Sequence, residues 1–168
     1  ALTQVDGHWY MPRGTTPTTH ILKLPMGEVG MPPVPFDASV DNEHVCAVLM
    51  GELGLSIAET EIVRFEDQRV LSVTRFDRKL IDGLGMVRLP QEDFCQALGL
   101  PRSKKYEQGD GGPGIKAIDS VLKFSSNSAH DRLTFLKTNI LFWLLCAPDG
   151  HAKNFSLMIE AGGTFRLT

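Results

Sequence analysis

The sequence predicts an α+β chain in which a small antiparallel sheet lobe precedes a mainly helical lobe. In the first half, short apolar and β-branched segments alternate with polar turns, which is typical of antiparallel strands. In the second half, apolar residues recur at helical spacing over two segments. A hairpin pattern with a glycine turn then returns near the C-terminal end.

The composition is that of an ordinary folded protein. The chain has 168 residues, of which 42% are hydrophobic and 22% are charged, so it can bury a core. The net charge of -3 argues against a general affinity for nucleic acid. The three cysteines lack metal-type spacing and are typical of reduced thiols, and no apolar run is long enough to span a membrane. These features predict a cytoplasmic protein.

The first half contains a candidate ATP-contacting lysine and a helix that follows it. Lys23 lies inside a predicted strand. Ser39 is predicted to cap the helix, Glu43 falls in its first turn, and Gly54 is its predicted stop. The predicted elements are a strand at 19–25, a proline-rich loop at 26–38, a helix at 39–53, and a hairpin of strands at 61–65 and 69–76.

The second half centres on a long apolar helix. Ser128 is its predicted cap, with Asp131 in a capping box. The apolar residues of this helix occupy nearly its whole circumference, which predicts burial at the centre of a lobe. The predicted elements are a strand at 86–89, a helix at 90–98, a loop at 102–114, helices at 115–124 and 129–147, and a hairpin of strands at 155–160 and 164–167. We place the two lobes at residues 1–78 and 79–168.

The loop at 148–155 carries the strongest functional signal. Asp149 and Asn154 form a D-x-x-x-x-N pattern, with His151 and Lys153 between them. A carboxylate can accept the proton of an attacking hydroxyl while a nearby amide oxygen holds Mg²⁺, which is the arrangement that phosphoryl transfer requires. The alternative is a polar turn that closes the preceding helix through Asp149-Gly150.

The order of the elements matches a bilobal protein-kinase-like fold. A strand with Lys23, a helix with Glu43, a hairpin and a helical lobe follow one another. In such a fold Lys23 contacts the phosphates of ATP, and Glu43 pairs with Lys23 to hold it there. The alternatives are a solvated lysine on a half-exposed strand and an acid favoured by the helix dipole.

Several long segments resemble the HipA family. They are PRGTTPTTHILKLP, SVDNEHVCAVLMGELGL, VTRFDRK, VRLPQEDFCQALGLP with KYEQGDGGPGI, and DGHAKNFS. The resemblance covers essentially the whole chain. It implies a two-lobed kinase fold related to lipid kinases, in bacterial serine/threonine kinases that act as toxins of toxin–antitoxin pairs.

The resemblance implies roles for individual residues. Asp149 would be the catalytic aspartate and Asn154 the Mg²⁺ ligand, while Lys23 would contact ATP. His151 would act around the transferred phosphate, and Lys153 would have a charge role. The segment beside adenine and ribose would be Arg75, Phe76 and Asp77.

Two parts of the family's machinery are not found. A second Mg²⁺ carboxylate should follow Asn154, yet the only later acid is Glu160 on the predicted hairpin. The loop that covers the phosphates, with the family's autophosphorylated serine, should precede Lys23. A Mg²⁺ ion held by Asn154 alone would bind poorly. We therefore expect an internal piece of a longer kinase, with weak or absent catalysis in isolation.

Three function classes remain open. By resemblance, the first is a kinase that phosphorylates a translation enzyme of the aminoacyl-tRNA synthetase type, promotes dormancy and persistence, and contacts DNA only through a HipB-like antitoxin. The second is a small-molecule or lipid kinase of the same fold. The third is an inactive module that binds the antitoxin.

The charged and glycine-rich segment at 102–114 is not assigned to the site. Its glycines resemble a phosphate cradle, but they do not follow a strand and open a helix as such loops do. Tyr106 lies within a run of basic residues, and such runs are usually solvated surface. We expect a flexible loop there.

Overall fold

The structure is a computed structural model that describes residues 1–168, and it divides into two compact units. The units are Ala1–Arg88 and Leu89–Thr168, whereas the sequence placed the lobe boundary after residue 78. A hairpin explains the difference, because it is fastened to the first unit at both ends. Arg78 Nε donates to the carbonyl of Thr18 at 2.8 Å, and Arg88 donates to the carbonyl of Thr15 at 3.4 Å.

The first unit is mostly antiparallel strands around one helix. Its elements are β1 (Thr3–Val5), β2 (His8–Tyr10), β3 (His20–Lys23), β4 (Glu28–Val29), β5 (Val34–Pro35), α1 (Ser39–Glu52), β6 (Thr60–Phe65), β7 (Gln68–Thr74), β8 (Arg78–Ile81) and β9 (Gly85–Arg88). The predicted strand that contains Lys23 and the predicted hairpin are confirmed. The β1–β2 and β8–β9 hairpins were not predicted as such, since their strands are too short for a clear alternation.

The main sheet of this unit has the order β3-β7-β6, with all neighbours antiparallel. Lys23 pairs with Leu71, which is fully buried in the central strand. Helix α1 packs against β6 and β7. The sheet therefore fixes the backbone of Lys23, while the helix stands beside the same strands.

Helix α1 begins and ends close to its predicted bounds, but its cap differs. Ala38 occupies the cap position, and the buried Ser39 is the first helical residue. The Ser39 hydroxyl instead accepts a hydrogen bond from the Met26 amide at 2.9 Å, which fastens the preceding loop. The predicted stop at Gly54 is confirmed by its φ of 79° and its bond to the Gly51 carbonyl.

The second unit combines a three-stranded sheet with two larger helices. Its elements are β10 (Gln91–Asp93), α2 (Phe94–Ala97), α3 (Ile115–Leu122), α4 (Ser128–Leu144), β11 (Ser156–Ile159) and β12 (Phe165–Leu167), with sheet order β10-β11-β12. The predicted helix at 90–98 is half wrong, because its first part pairs with β11 as a strand. The core is formed by Phe94, Cys95, Ile118, Leu122, Phe135, Ala152, Phe155, Leu157 and Leu167.

The long helix α4 is present, but the prediction that it is buried nearly all round is wrong. It buries Asp131, Phe135 and Leu141. Its opposite side exposes Leu133, Leu136, Ile140, Trp143 and Leu144. The predicted Ser128 cap and capping box are also wrong, because Asn127 occupies the cap position and Asp131 serves another partner. The Asp131 carboxylate accepts a hydrogen bond from the Leu167 amide at 2.9 Å.

Candidate functional site

The loop between α4 and β11 is shaped by its contacts with the core of the second unit. Gly150 leaves room for the Phe142 ring, since a Cβ there would lie 2.8 Å from that ring and would force it to shift. Ala152 and Phe155 are buried in the core, and a short helical turn joins them. The loop is therefore held at its centre and end, while Asp149 remains exposed.

Asp149 and Asn154 are joined within this loop. The Asn154 amide nitrogen donates to the backbone carbonyl of Asp149. Because a carbonyl can only accept, this bond assigns the nitrogen and leaves the amide oxygen of Asn154 available. The Asp149 side chain is 70% exposed. A carboxylate and an amide oxygen, both of the ligand type that Mg²⁺ prefers, thus stand at one loop.

Two aromatic rings surround the Asp149 carboxylate. The Tyr106 hydroxyl donates to Asp149 Oδ1 at 2.8 Å, and His151 Nε2 lies 3.5 Å from the same oxygen. The two rings meet edge to face, with centroids 5.0 Å apart. Sequence reasoning missed Tyr106 by placing it on solvated surface. The only signal was an aromatic residue in a charged run beside glycines.

His151 lies deeper than a solvated loop residue would. Its side chain is only 7% exposed, and its buried Nδ1 has no hydrogen-bond partner. Together with Asn139, Phe135 and Phe155 it lines a cavity of about 160 Å³. His151 therefore lies between the core of the unit and the Asp149 carboxylate, and the structure places it at the site as a packed residue.

Lys153 is engaged in an ion pair with Asp93, and sequence reasoning missed Asp93 as its partner. Asp93 also caps α2 with a reciprocal box, since its carboxylate accepts from the Gln96 amide at 3.0 Å. Burial tends to raise the pKa of Asp93, but the hydrogen bonds from Lys153 and the α2 backbone outweigh it and hold the pKa below its ordinary value. The D-x-x-Q pattern was the available sequence signal.

In the first unit, Lys23 forms the predicted ion pair with Glu43 of α1. The two side chains are 47% and 46% exposed. Strand β3 and helix α1 supply one partner each, so the pair links sheet and helix. The lysine is held at one position yet remains accessible to a ligand.

The segment predicted to lie beside adenine and ribose forms its own charge cluster. Arg75 makes two hydrogen bonds to the Asp77 carboxylate, at 2.9 and 2.6 Å, and Arg78 adds one at 2.8 Å. Burial tends to raise the pKa of Asp77, but both arginines together hold it below its ordinary value. Phe76 between them is 51% exposed.

A complete metal-binding cluster is not present. The chain has no group of three or more histidine, cysteine, aspartate or glutamate residues placed to hold an ion. Glu160 is already engaged, with Arg166 Nε at 3.1 Å and the Ser126 hydroxyl at 3.0 Å. The oxygen donors of Asp149 and Asn154 fit Mg²⁺ chemically, but they form only part of a coordination shell.

Comparisons with known proteins identify the family and the fold. The family model for the HipA-like C-terminal domain matches residues 1–168. The chain is 35% identical over 164 residues to the protein Y4mE of Sinorhizobium fredii. This alignment covers 96% of this chain and 37% of the relative. The chain is also 34% identical over 161 residues to the serine/threonine-protein kinase toxin HipA of Shewanella oneidensis. This second alignment covers 89% of this chain and 35% of that protein.

The solved structures give the same result. A complex of Shewanella oneidensis HipA with HipB and operator DNA contains a chain that matches this one with a TM-score of 0.84 and 27% identity. The match covers 99% of this chain and 39% of the other. It confirms the predicted α+β, kinase-like fold. This chain therefore spans between a third and two fifths of the length of the proteins that it matches.

None of its helices has the length and hydropathy needed to cross a membrane.

Proposed function

The chain belongs to the HipA-like C-terminal domain family, and we propose that it supplies phosphoryl-transfer residues of an ATP-dependent serine/threonine kinase. The observation that carries the proposal is the loop at Asp149. There an exposed carboxylate and a free amide oxygen lie on one loop, which is closed by the hydrogen bond from the Asn154 amide nitrogen to the Asp149 backbone carbonyl. Such a pair suits phosphoryl transfer, where catalysis depends on positioning and on neutralising charge.

Within this loop each residue has a separate task. Asp149 accepts or orients the proton of the acceptor hydroxyl, and Asn154 offers its amide oxygen to Mg²⁺. When bound, the ion would neutralise charge on the phosphates of ATP. His151 supports the carboxylate from below. Lys153 acts on the loop indirectly through its ion pair with Asp93.

The first unit supplies the proposed nucleotide contacts. Lys23, held by Glu43, would bind the α- and β-phosphates of ATP. Phe76 is exposed and would contact the adenine. Arg75 and Asp77 are bonded to each other, so they would act mainly by fixing the backbone around Phe76.

The partners follow from the family. The Shewanella oneidensis structure contains HipA with HipB and operator DNA, which supports a DNA-binding antitoxin of the HipB type as partner. DNA contact would then be indirect. By the same resemblance, the acceptor would be a serine or threonine of a translation enzyme such as an aminoacyl-tRNA synthetase, together with an autophosphorylated serine. The result would be dormancy and persistence of a bacterial cell.

A second candidate is an inactive module that binds the antitoxin. It is favoured by the incomplete Mg²⁺ shell, in which Glu160 is occupied elsewhere. It is opposed by the intact Lys23–Glu43 pair and by the exposed Asp149 carboxylate. The two candidates differ in one measurable property, which is transfer of phosphate from ATP.

The deciding experiment compares the 168-residue chain with the product of the whole open reading frame that encodes it. Mg²⁺-dependent ATP binding and transfer from radiolabelled ATP are measured for both. We expect the whole-frame product to transfer phosphate and Asp149→Asn to slow transfer by about 10²–10⁴-fold, the usual contribution of a positioned base.

The matched control is Asp67→Asn, which changes an exposed acid in the β6–β7 turn and should leave transfer unchanged. The proposal fails if the whole-frame product binds no nucleotide. It also fails if transfer is unaffected by Asp149→Asn.

A further inference from the structure

The segment before α3 is fixed against the Asp149 loop. The Lys105 carbonyl accepts a hydrogen bond from the Ala152 amide at 3.3 Å, and the Tyr106 carbonyl accepts one from the Gly112 amide at 2.8 Å. Gly112 must be glycine, because a Cβ there would lie 2.1 Å from the Lys104 carbonyl oxygen. The backbone of Tyr106 is therefore held on both sides, which differs from the flexible loop expected from sequence.

The Tyr106 ring is also held. Its edge-to-face contact with His151 has an interplanar angle of 76°, and Lys105 Nζ lies 4.6 Å from the ring centroid. Aromatic pairs and cation–π contacts both favour particular orientations of the ring. With backbone and ring both restrained, the hydroxyl reaches Asp149 Oδ1 from one direction at 2.8 Å.

This hydrogen bond distinguishes the two oxygens of Asp149. An exposed aspartate would otherwise rotate among several side-chain conformations. Oδ1 accepts from Tyr106, whereas Oδ2 accepts no hydrogen bond from the chain. Oδ2 therefore remains available for the hydroxyl of a substrate.

We propose that Tyr106 is a positioning residue that holds Asp149 Oδ1 so that Oδ2 accepts the substrate proton. This inference rests on the proposed kinase function. In the transfer, the acceptor oxygen forms a bond to the γ-phosphorus as the bond from that phosphorus to the bridging oxygen of ADP breaks. The acceptor proton passes to Oδ2.

The test is Tyr106→Phe in the product of the whole reading frame. The substitution keeps the ring contacts and removes only the hydroxyl. Since a hydrogen bond to a charged group contributes about 1.5–3 kcal/mol, we expect kcat to fall by about 10–100-fold. The KM for ATP, the ATP dissociation constant and the melting temperature should stay at wild-type values. Tyr10→Phe, at an exposed tyrosine of β2, is the matched control and should leave kcat unchanged.

Asp149→Asn separates this inference from the proposed function. If Asp149→Asn slows transfer but Tyr106→Phe does not, the positioning role is overturned and the kinase assignment stands. A Tyr106→Phe variant that loses ATP affinity or stability in the same degree also overturns it, because that result indicates a structural role. If Asp149→Asn transfers normally, the proposed function fails and the inference fails with it. The double variant should be no slower than Asp149→Asn alone, because Tyr106 acts through that carboxylate.

Discussion

Each of the two units contains a lysine–carboxylate pair, and the surroundings of the two pairs differ. Lys23–Glu43 joins a strand to a helix with both side chains nearly half exposed. Lys153–Asp93 joins the Asp149 loop to the start of α2 with side chains only 28% and 14% exposed. The Asp93 carboxylate also accepts from the Gln96 amide. The sequence predicts a functional role for both lysines, yet the two pairs differ in how deeply they are buried.

The difference shows how burial decides what an ion pair is for. An exposed pair contributes little to stability, about 0–1 kcal/mol, so its lysine can turn to a ligand at small cost. A partly buried pair leaves an unpaired charge when one partner is lost, and the protein destabilises strongly. Lys153 is adjacent to Asn154 in the sequence, but its ion pair with Asp93 indicates that it stabilises the fold rather than binds a ligand.

The largest expected effect breaks the buried pair. Lys153→Met keeps the apolar stem and removes the charge, so it leaves the Asp93 carboxylate without its cation. We expect the free energy of unfolding to fall by about 2 kcal/mol, measured by urea denaturation of the 168-residue chain. Lys123→Met, at an exposed lysine of the same unit, should change it by less than about 0.5 kcal/mol. Equal stabilities for the two variants would contradict a structural role for Lys153.

A smaller effect is expected for the exposed pair, and it concerns binding. Lys23→Met should lower the ATP affinity of the whole-frame product by about tenfold, since a charge-assisted contact to phosphate contributes about 1.5 kcal/mol or more. The free energy of unfolding should change by less than about 1 kcal/mol. Isothermal titration calorimetry and urea denaturation measure the two quantities. Unchanged affinity with reduced stability would reverse the assignment of the pair.

The smallest effect is a pH dependence that sharpens the comparison. The folded pKa of Asp93 lies below its unfolded value of about 3.9, so its contribution is complete above that pH and is lost as the pH falls through the folded pKa. The stability difference between the wild-type chain and Lys153→Met should therefore shrink as the pH is lowered from 7 to 3. Urea denaturation at each pH measures it. A difference that stays constant at low pH would show that Asp93 does not depend on Lys153.

The sequence predicted those parts of the site that depend on local pattern. Lys23 is predicted in a strand, and Asp149 and Asn154 are predicted in one loop after a helix, because strand alternation and helical spacing are short-range signals. The Lys23–Glu43 pair is instead predicted from the kinase-like order of the elements, and the structure contains it. Tyr106 was missed, since its contact with Asp149 joins segments that are distant along the chain. Whether these residues carry out catalysis stays a prediction that the proposed variants test.

The errors in the fold have a similar cause. Asp131 matches the capping-box pattern, but its carboxylate accepts a hydrogen bond from the Leu167 amide, which belongs to a strand distant along the chain. The apolar pattern of α4 predicted burial on all sides, yet hydrophobicity shows only what a helix can bury. What it does bury depends on which elements stand beside it. Residues 90–98 contain a strand start and a helix start in succession, and a single period describes neither.

The hydrogen bond from the Leu167 amide to Asp131 has a further consequence for the Asp149 loop. Helix α4, the loop, β11 and β12 follow one another along the chain, and this bond returns β12 to the first turn of α4, about 20 Å from the other end of that helix. The polypeptide between these two residues thus forms a closed ring with the loop as one side. Helix α4, β11 and β12 are therefore tied to one another on both sides of the loop, so a displacement of β12 is resisted at Asp131 as well as along β11.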